Sequence, residues 1–130
     1  MKIEVSNGEI IDKYTILTIK LQEINDEAKL ANVKAEYDSL TPEITAIYDN
    51  TEDQKALESL HTDLLNVNKT LWNIEDYIRD CERDGNFGTD FVELARSVYF
   101  TNDDRANVKK LINTLTGSTL VEEKSYQEYV

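Results

Sequence analysis

The longest regular pattern in the chain lies in its middle, where apolar residues recur alternately every three and every four positions. The pattern runs from Leu57 to Cys81, and no Gly or Pro occurs from Thr51 to Asp84. Its members are Leu57, Leu60, Leu64, Val67, Leu71, Ile74, Ile78 and Cys81. This spacing brings the apolar side chains onto one face of an α-helix. At about 1.5 Å per residue the predicted helix over 51–84 is about 50 Å long, and we expect it to be the central axis for the other helices.

Two shorter apolar patterns precede the long one. The capping box Ser6–Glu9 predicts the start of a first helix, which should end near Asn25–Asp26. Apolar residues cover most sides of this helix, so we expect it to be substantially buried. A second three-four pattern follows, and Pro42 interrupts it. Because proline inside a helix costs about 3 kcal/mol, we predict a break at Leu40–Thr41 and then a short helix to about Tyr48.

Capping and stop signals divide the rest of the chain. A second capping box at Thr51–Gln54 predicts the start of the long helix, and Gly85 predicts its end. A fourth helix should begin near Thr89 and a fifth should occupy about 102–116. The remaining residues, 118–130, form a short tail that either docks or frays. The sequence thus predicts one all-α domain over 1–130, an elongated bundle of about five helices organised on the long helix.

Composition narrows the classes of partner. The chain has 26 acidic and 14 basic residues in 130, a formal net charge of -12. Such a charge disfavours nucleic acid and anionic membranes as partners. The single cysteine, Cys81, cannot form an internal disulfide, and its position in the apolar series predicts a small core residue. With no signal-peptide run and no stretch of about 20 apolar residues, we expect a cytoplasmic protein.

Charged side chains on the apolar first helix need partners, because an unpaired buried ion costs several kcal/mol, roughly, in lost hydration. Asp12, Lys13 and Lys20 are the residues in question. One interpretation is internal salt bridges, with the lysine stems extending to solvent. The other is a site in which the lysines hold an anion.

Polar side chains at one-turn intervals form ridges on two predicted helices. The ridge on the long helix comprises Asn68, Trp72, Glu75 and Arg79, and that on the fifth helix comprises Asn102, Arg105, Lys109 and Asn113. Amides and cations spaced in this way can bracket a phosphate or a carboxylate, although a solvated helix face has the same pattern. The candidate ligand-binding residues are therefore Lys13, Lys20, Trp72, Arg79, Tyr99, Asn102, Arg105, Lys109 and Asn113.

No pattern in the chain indicates a reaction. Glu75, Asp76 and Asp80 only partly match the acidic spacing of helical magnesium pyrophosphohydrolases. His61 has no His or Cys partner at metal-ligand spacing, and no Ser or Thr has a suitable base. We therefore predict no catalytic residue, no metal ligand and no cofactor.

Several short sequence segments, distributed over nearly the whole chain, are similar to those of a known family. They include the segments 8–13, 29–33, 71–76, 94–99 and 122–126. The chain resembles a family of short, acidic, helical proteins of about 130 residues from bacteria and their phages, which is catalogued as a domain of unknown function. Some members are associated with glycosyltransferases of surface polysaccharide synthesis. The resemblance implies the cytoplasm of a bacterium or phage-infected cell, and it implies no established activity or functional residue.

Two functions from different classes are favoured at this point, ahead of a magnesium pyrophosphohydrolase. The first is a non-catalytic helical interaction or assembly module that docks a protein partner or a second copy of itself. It rests on the heptads, on apolar helix positions beyond the needs of a small bundle, and on the absence of a chemical motif. The alternative is a binder of, or an enzyme acting on, an anionic small molecule such as a nucleotide sugar or a phosphorylated metabolite.

Overall fold

Four α-helices make up most of the chain in a computed structural model, which describes residues 1–129. The helices are α1 (Asn7–Glu23), α2 (Glu27–Asp49), α3 (Gln54–Asp84) and α4 (Thr89–Thr116). No strand occurs within 1–129. The all-α prediction is confirmed, but the count of about five helices is not. Val130, the last residue of the predicted tail, lies outside the described residues.

The first helix, α1, packs against each of the other three. Its side chains Ile11 and Leu17 are almost completely buried, as expected for a helix that is apolar on most sides. The core cluster draws on all four helices and consists of Ile11, Ile44, Ile47, Leu57, Leu64 and Ile112. The most extensive pairing of the long helix α3 is with α4. The expectation that α3 is the single central axis is not confirmed.

Most of the predicted helix ends are present, with one shift at the start of α3. The Ser6 hydroxyl accepts a hydrogen bond from the Glu9 amide at 3.2 Å, as the first capping box predicts. Gly85 ends α3 in the left-handed conformation, with φ of 66°. The cap of α3 is Asp53, whereas Thr51 was predicted. Thr51 instead ends the preceding helix, because its buried hydroxyl donates to the Ile47 carbonyl at 2.7 Å and its amide donates to the Tyr48 carbonyl at 3.1 Å.

The break predicted before Pro42, at Leu40–Thr41, is wrong, because α2 continues through both positions. Pro42 cannot donate a backbone hydrogen bond to the carbonyl four residues earlier. Val33 is buried on one side of the proline, and Ile44 and Ile47 are buried on the other. Burial of both halves of α2 thus compensates for the missing hydrogen bond.

The separate fourth and fifth helices of the prediction are one continuous helix, α4. The predicted start of a fifth helix rested on an N-cap pattern at Thr101–Asp104, and such a cap is worth only about 1 kcal/mol. On its C-terminal side, Arg105 and Lys109 bind side chains of α1. Tertiary contacts of this strength outweigh a weak local signal, so the helix is not interrupted.

Residues 118–129 have neither helical nor strand structure and lie against α4. We call them the C-terminal strap. Gly117 ends α4 with φ of 65°, which turns the chain back along the helix.

Candidate functional site

A buried carboxylate joins three helices at the centre of the molecule. The side chain of Asp12, on α1, is 2% exposed. Arg105 of α4 donates from Nε to Asp12 Oδ1 at 2.9 Å, and its Nη2 binds the other carboxylate oxygen. Asn68 of α3 donates to Oδ1 at 2.8 Å. The hydrogen bond to Asp12 raises the pKa of Arg105 above its ordinary value, so the guanidinium is held in its charged form.

The remaining polar atoms around Asp12 are also paired. Asn68 donates a second hydrogen bond to the Thr15 hydroxyl at 2.8 Å, and that hydroxyl donates to the Asp12 carbonyl at 2.7 Å. Among the described residues, no buried side-chain nitrogen or oxygen lacks a hydrogen-bond partner. A fully satisfied network of this kind fixes how α1, α3 and α4 fit together.

Lys109 of α4 is held by two carboxylates from opposite ends of the chain. Its Nζ lies 2.7 Å from Glu9 Oε2 and 2.9 Å from Glu122 Oε2, and its side chain is only 11% exposed. Burial alone would lower the pKa of Lys109, but hydrogen bonds to Glu9 and Glu122 outweigh it, and the pKa is raised. Three carboxylates thus face two cations, so the cluster has an excess of negative charge.

The first turn of α1 makes the closest backbone approach in this region. The Gly8 amide donates to Asn113 Oδ1 at 2.6 Å. A Cβ on Gly8 would lie 2.6 Å from the Lys109 carbonyl oxygen and 2.9 Å from Asn113 Oδ1. Only glycine allows α1 and α4 to meet at this distance.

Five of the predicted ligand-binding residues lie along the strap side of α4. Tyr99, Asn102, Arg105 and Lys109 line a cavity of about 510 Å³, and Asn113 lies one turn further along the helix. They come together because α4 is continuous through the predicted break. The strap closes this cavity with Glu122, Lys124 and Tyr126.

The other four predicted residues lie elsewhere. Trp72 and Arg79 line a second groove of about 450 Å³ on α3, which Arg105 also borders. Arg79 is exposed and pairs with Glu75 at 3.7 Å. Lys13 is exposed and pairs with Glu36 of α2 at 2.7 Å. Lys20 is half-buried on α1 and does not line these two cavities.

Five residues of this ion and hydrogen-bond network are not among the candidate ligand-binding residues: Glu9, Asp12, Thr15, Asn68 and Glu122. Asp12 carried a signal, because a carboxylate on an apolar helix requires a buried partner. Of the two interpretations of these charges, internal salt bridges describe Asp12 and Lys13. Nothing local in the sequence identifies Glu122 as a partner of Lys109, since it follows α4 in a segment without periodicity.

The strap follows α4 through three further contacts. Glu123 Oε2 lies 3.3 Å from Lys110 Nζ, and Lys124 Nζ lies 3.4 Å from Asp103 Oδ1. The Tyr129 hydroxyl donates to the other oxygen of Asp103, which raises the pKa of Tyr129 to about 12. A groove of about 880 Å³ remains between the strap and the helix.

The exposed large apolar side chains are unevenly distributed. Beyond Met1, Ile3 and Val5, they are Tyr77, Phe87, Val92, Tyr99, Phe100, Leu111, Leu120, Val121, Tyr126 and Tyr129. Within residues 1–129, neither α1 nor α2 contributes one. Those on α4 fall within an arc of about 120° at 100° per residue. We call this arc, carrying Val92, Tyr99, Phe100 and Leu111, the α4 face.

Residues 1–129 contain no group of three or more His, Cys, Asp or Glu side chains that could hold a metal ion. No helix among them is both long enough and apolar enough to cross a membrane. His61 forms a hydrogen bond with the Tyr48 hydroxyl at 3.0 Å, and burial lowers its pKa.

Comparison with known proteins confirms the family resemblance noted in the sequence. No curated protein and no solved structure matches the chain significantly. The model of a family described as "Family of unknown function (DUF6165)" matches residues 1–130. Because that match covers the full sequence, the chain belongs to the DUF6165 family of unknown function.

Proposed function

We propose that this chain is a non-catalytic helical interaction module that binds a protein partner, or a second copy of itself, through the α4 face. The observation that carries the proposal is the uneven distribution of exposed apolar side chains. Val92, Tyr99, Phe100 and Leu111 are each at least 42% exposed on one side of one helix. Tyr99 and Phe100 form a contiguous part of this surface, with ring centroids 4.8 Å apart, and exposed contiguous apolar patches mark binding surfaces.

The buried ion network supports an anchoring role over a catalytic one. Asp12 and Arg105 satisfy each other, and Lys109 already binds Glu9 and Glu122. Groups held in this way have little free capacity to bind or to transfer protons to a substrate. Their contacts fix the angle at which α4 presents its outer side.

Site-specific photo-cross-linking in the native host tests this proposal. A photoreactive phenylalanine analogue is introduced at Leu111 on the α4 face and, as the matched control, at Lys34 on the exposed side of α2. We expect a discrete cross-linked species from Leu111 and none from Lys34. A species of twice the chain mass would identify a second copy as the partner. The absence of any adduct at Leu111, or equal adducts at both positions, would overturn the proposal.

A second candidate function is the binding of, or action on, an anionic small molecule. The cavity of about 510 Å³ lined by Tyr99, Asn102, Arg105 and Lys109 favours it. A ligand anion would have to displace Glu122 from Lys109, because their atoms are 2.9 Å apart. A panel of nucleotides, nucleotide sugars and sugar phosphates tests it by thermal shift. A dose-dependent rise in melting temperature that Lys109→Met removes would support this candidate, and no shift with any compound would eliminate it.

A further inference from the structure

We propose that the α4 face, together with the adjoining cations Lys109 and Lys110, binds an extended acidic peptide of a partner protein, and that the C-terminal strap is a built-in competitor for this peptide. The inference rests on the proposed function, since it assumes that the α4 face is an interaction surface. It adds the chemistry of the partner and the means by which the surface is kept closed.

The strap itself indicates which ligand chemistry fits the face. Two adjacent carboxylates, Glu122 and Glu123, bind the adjacent cations Lys109 and Lys110. The next residue, Lys124, pairs with Asp103 one to two turns back along α4. Successive strap residues thus meet charges of opposite sign on the helix. An extended peptide with two adjacent carboxylates would make the same ion pairs.

An aromatic side chain completes the match at the other end of the strap. The Tyr129 ring lies 5.2 Å from the Tyr99 ring and 5.0 Å from the Phe100 ring, measured between centroids. These distances are typical of favourable aromatic pairs. The face therefore selects an acidic pair followed six residues later by an aromatic residue, which is the spacing from Glu123 to Tyr129.

Several features make the strap displaceable. It has no regular secondary structure, and Glu123 is 73% exposed while paired with Lys110. The groove of about 880 Å³ beneath it shows that it does not pack against α4 as a core segment does. If the strap is displaced, Lys109 still has its ion pair with Glu9, in which Nζ and Oε2 are 2.7 Å apart. Displacement therefore leaves no buried cation unpaired, and the helices can stay in position.

Fluorescence anisotropy on the full-length chain tests the proposal. The probe is a labelled synthetic peptide with the sequence of residues 118–130. The protein is compared with a double variant, Glu123→Gln with Tyr129→Ala, in which the strap is weakened and α4 is unchanged. We expect the variant to bind the peptide at least about tenfold more tightly, because a tethered competitor acts at millimolar effective concentration. Circular dichroism of each protein verifies that it is folded.

Matched controls separate recognition of the face from general charge attraction. In the double variant, Lys110→Gln should weaken peptide binding several-fold, as expected for the loss of one exposed ion pair, whereas Lys34→Gln on α2 should leave it unchanged. Both lysines are exposed and ion-paired, so the two substitutions remove equal charge. A peptide carrying the same Glu-to-Gln and Tyr-to-Ala changes should bind neither protein. No peptide binding, or equal loss with both lysine variants, would overturn the proposal.

Two further outcomes distinguish the proposal from a dimer that exchanges straps and from a face that binds a partner of different chemistry. A concentration-dependent dimer that the double variant abolishes would assign the face to the strap of a second copy, and would overturn a partner peptide. If the peptide fails to bind while cross-linking at Leu111 succeeds, only the acidic-peptide chemistry is wrong. If both experiments fail, the proposed function is wrong as well.

Discussion

At the scale of single residues, the Asp12 carboxylate has the largest structural role. It is buried and accepts hydrogen bonds from residues on α3 and α4. A buried ion pair adds little to stability over a well-packed apolar pair, but breaking it is costly because the remaining charge is unpaired. Removal of the Asp12 carboxylate would therefore leave the Arg105 guanidinium without its counter-ion.

Asp12→Asn should destabilise the protein by about 3 kcal/mol, because Arg105 would lose its counter-ion in the interior. Removing one partner of a buried ion pair typically costs about 3–5 kcal/mol. We expect a loss at the lower end of this range, because the Arg105 side chain is 30% exposed. Urea denaturation monitored by circular dichroism measures the change. The matched control is Asp38→Asn, which removes an exposed pair with Lys34 and should cost at most about 1 kcal/mol. Equal losses in the two variants would contradict a special role for Asp12.

Gly8→Ala should destabilise the protein by about 2 kcal/mol, although alanine is the better helix former. The added methyl group would lie 2.6 Å from the Lys109 carbonyl oxygen and push α1 away from α4. Gly88→Ala is the control, because the nearest heavy atom to its Cβ, in Asn86, is 3.5 Å away. Thermal and urea unfolding compare the two variants. Unchanged or increased stability of Gly8→Ala would refute the close contact.

What the sequence reveals about single residues depends on distance along the chain. The apolar surroundings of Asp12 predict that it has a partner, because an isolated buried charge is too costly. They do not identify Arg105, which is 93 residues away. The ridge over 102–113 was predicted as a ligand site, but in the structure Arg105 and Lys109 already bind carboxylates of this chain. Local spacing cannot distinguish these two outcomes.

At the scale of elements, α2 shows how packing overrides local preference. Pro42 lies inside the helix, although it removes one backbone hydrogen bond and disfavours the turn before it. After the proline, Ile44 and Ile47 belong to the core cluster, and before it Tyr37 stacks on Tyr14 of α1. The helix therefore keeps its course at a local energetic cost.

Pro42→Ala should stabilise the protein by about 1 kcal/mol or more. Alanine restores the missing hydrogen bond to the Asp38 carbonyl and is favoured by about 3 kcal/mol in a helix interior. Part of this gain is offset because proline also restricts the unfolded chain. Since Pro42 is exposed, no core contact is lost. Differential scanning calorimetry measures the shift in melting temperature, and a decrease would mean that the proline fits the helix without strain.

Among the elements, the sequence predicts helices better than interruptions. The stripe from Leu57 to Cys81 and the stop signal at Gly85 give α3 almost correctly, since both are local properties. The predicted breaks at Leu40–Thr41 and near Asn102 are wrong. The first rested on a proline penalty of about 3 kcal/mol and the second on a cap signal of about 1 kcal/mol, whereas contacts with α1 and the core extend along both helices.

At the scale of the whole molecule, α1 lies between α2 and the α3–α4 hairpin. It has extensive contacts with all three other helices, and Ile11, Thr15 and Leu17 are at most 2% exposed. In contrast, every residue over 82–90 at the turn of the hairpin is exposed. Stability should therefore be distributed unevenly over the fold.

Hydrogen exchange should resolve this distribution. We expect the amides over 11–19 to exchange only through global unfolding, and those over 82–92 to exchange through local opening. Each 1.4 kcal/mol between the two free energies of opening corresponds to about a tenfold difference in rate. Mass spectrometry of peptic fragments under native conditions measures both segments, with unfolded chain as the reference. Equal rates in the two segments would show that α1 is not the most protected element.

The all-α class could be predicted from the sequence because periodicity determines it. The sequence did not predict which helix contacts all the others. Length favoured α3, but α1 is apolar on more sides and packs against every other helix. The choice depends on pairs such as Gly8 with Asn113, which are 105 residues apart. No local pattern encodes such a pair.

The position of α1 has a consequence for biosynthesis. The helix α1 is synthesised before α4 but needs contacts from it, because Asp12 pairs with Arg105 and Gly8 with Asn113. Domains assemble as units, and long-range contacts form late. Until α3 and α4 have been synthesised, the nascent chain therefore carries Ile11 and Leu17 only partly covered, and a chaperone that shields apolar segments should increase the yield of folded protein.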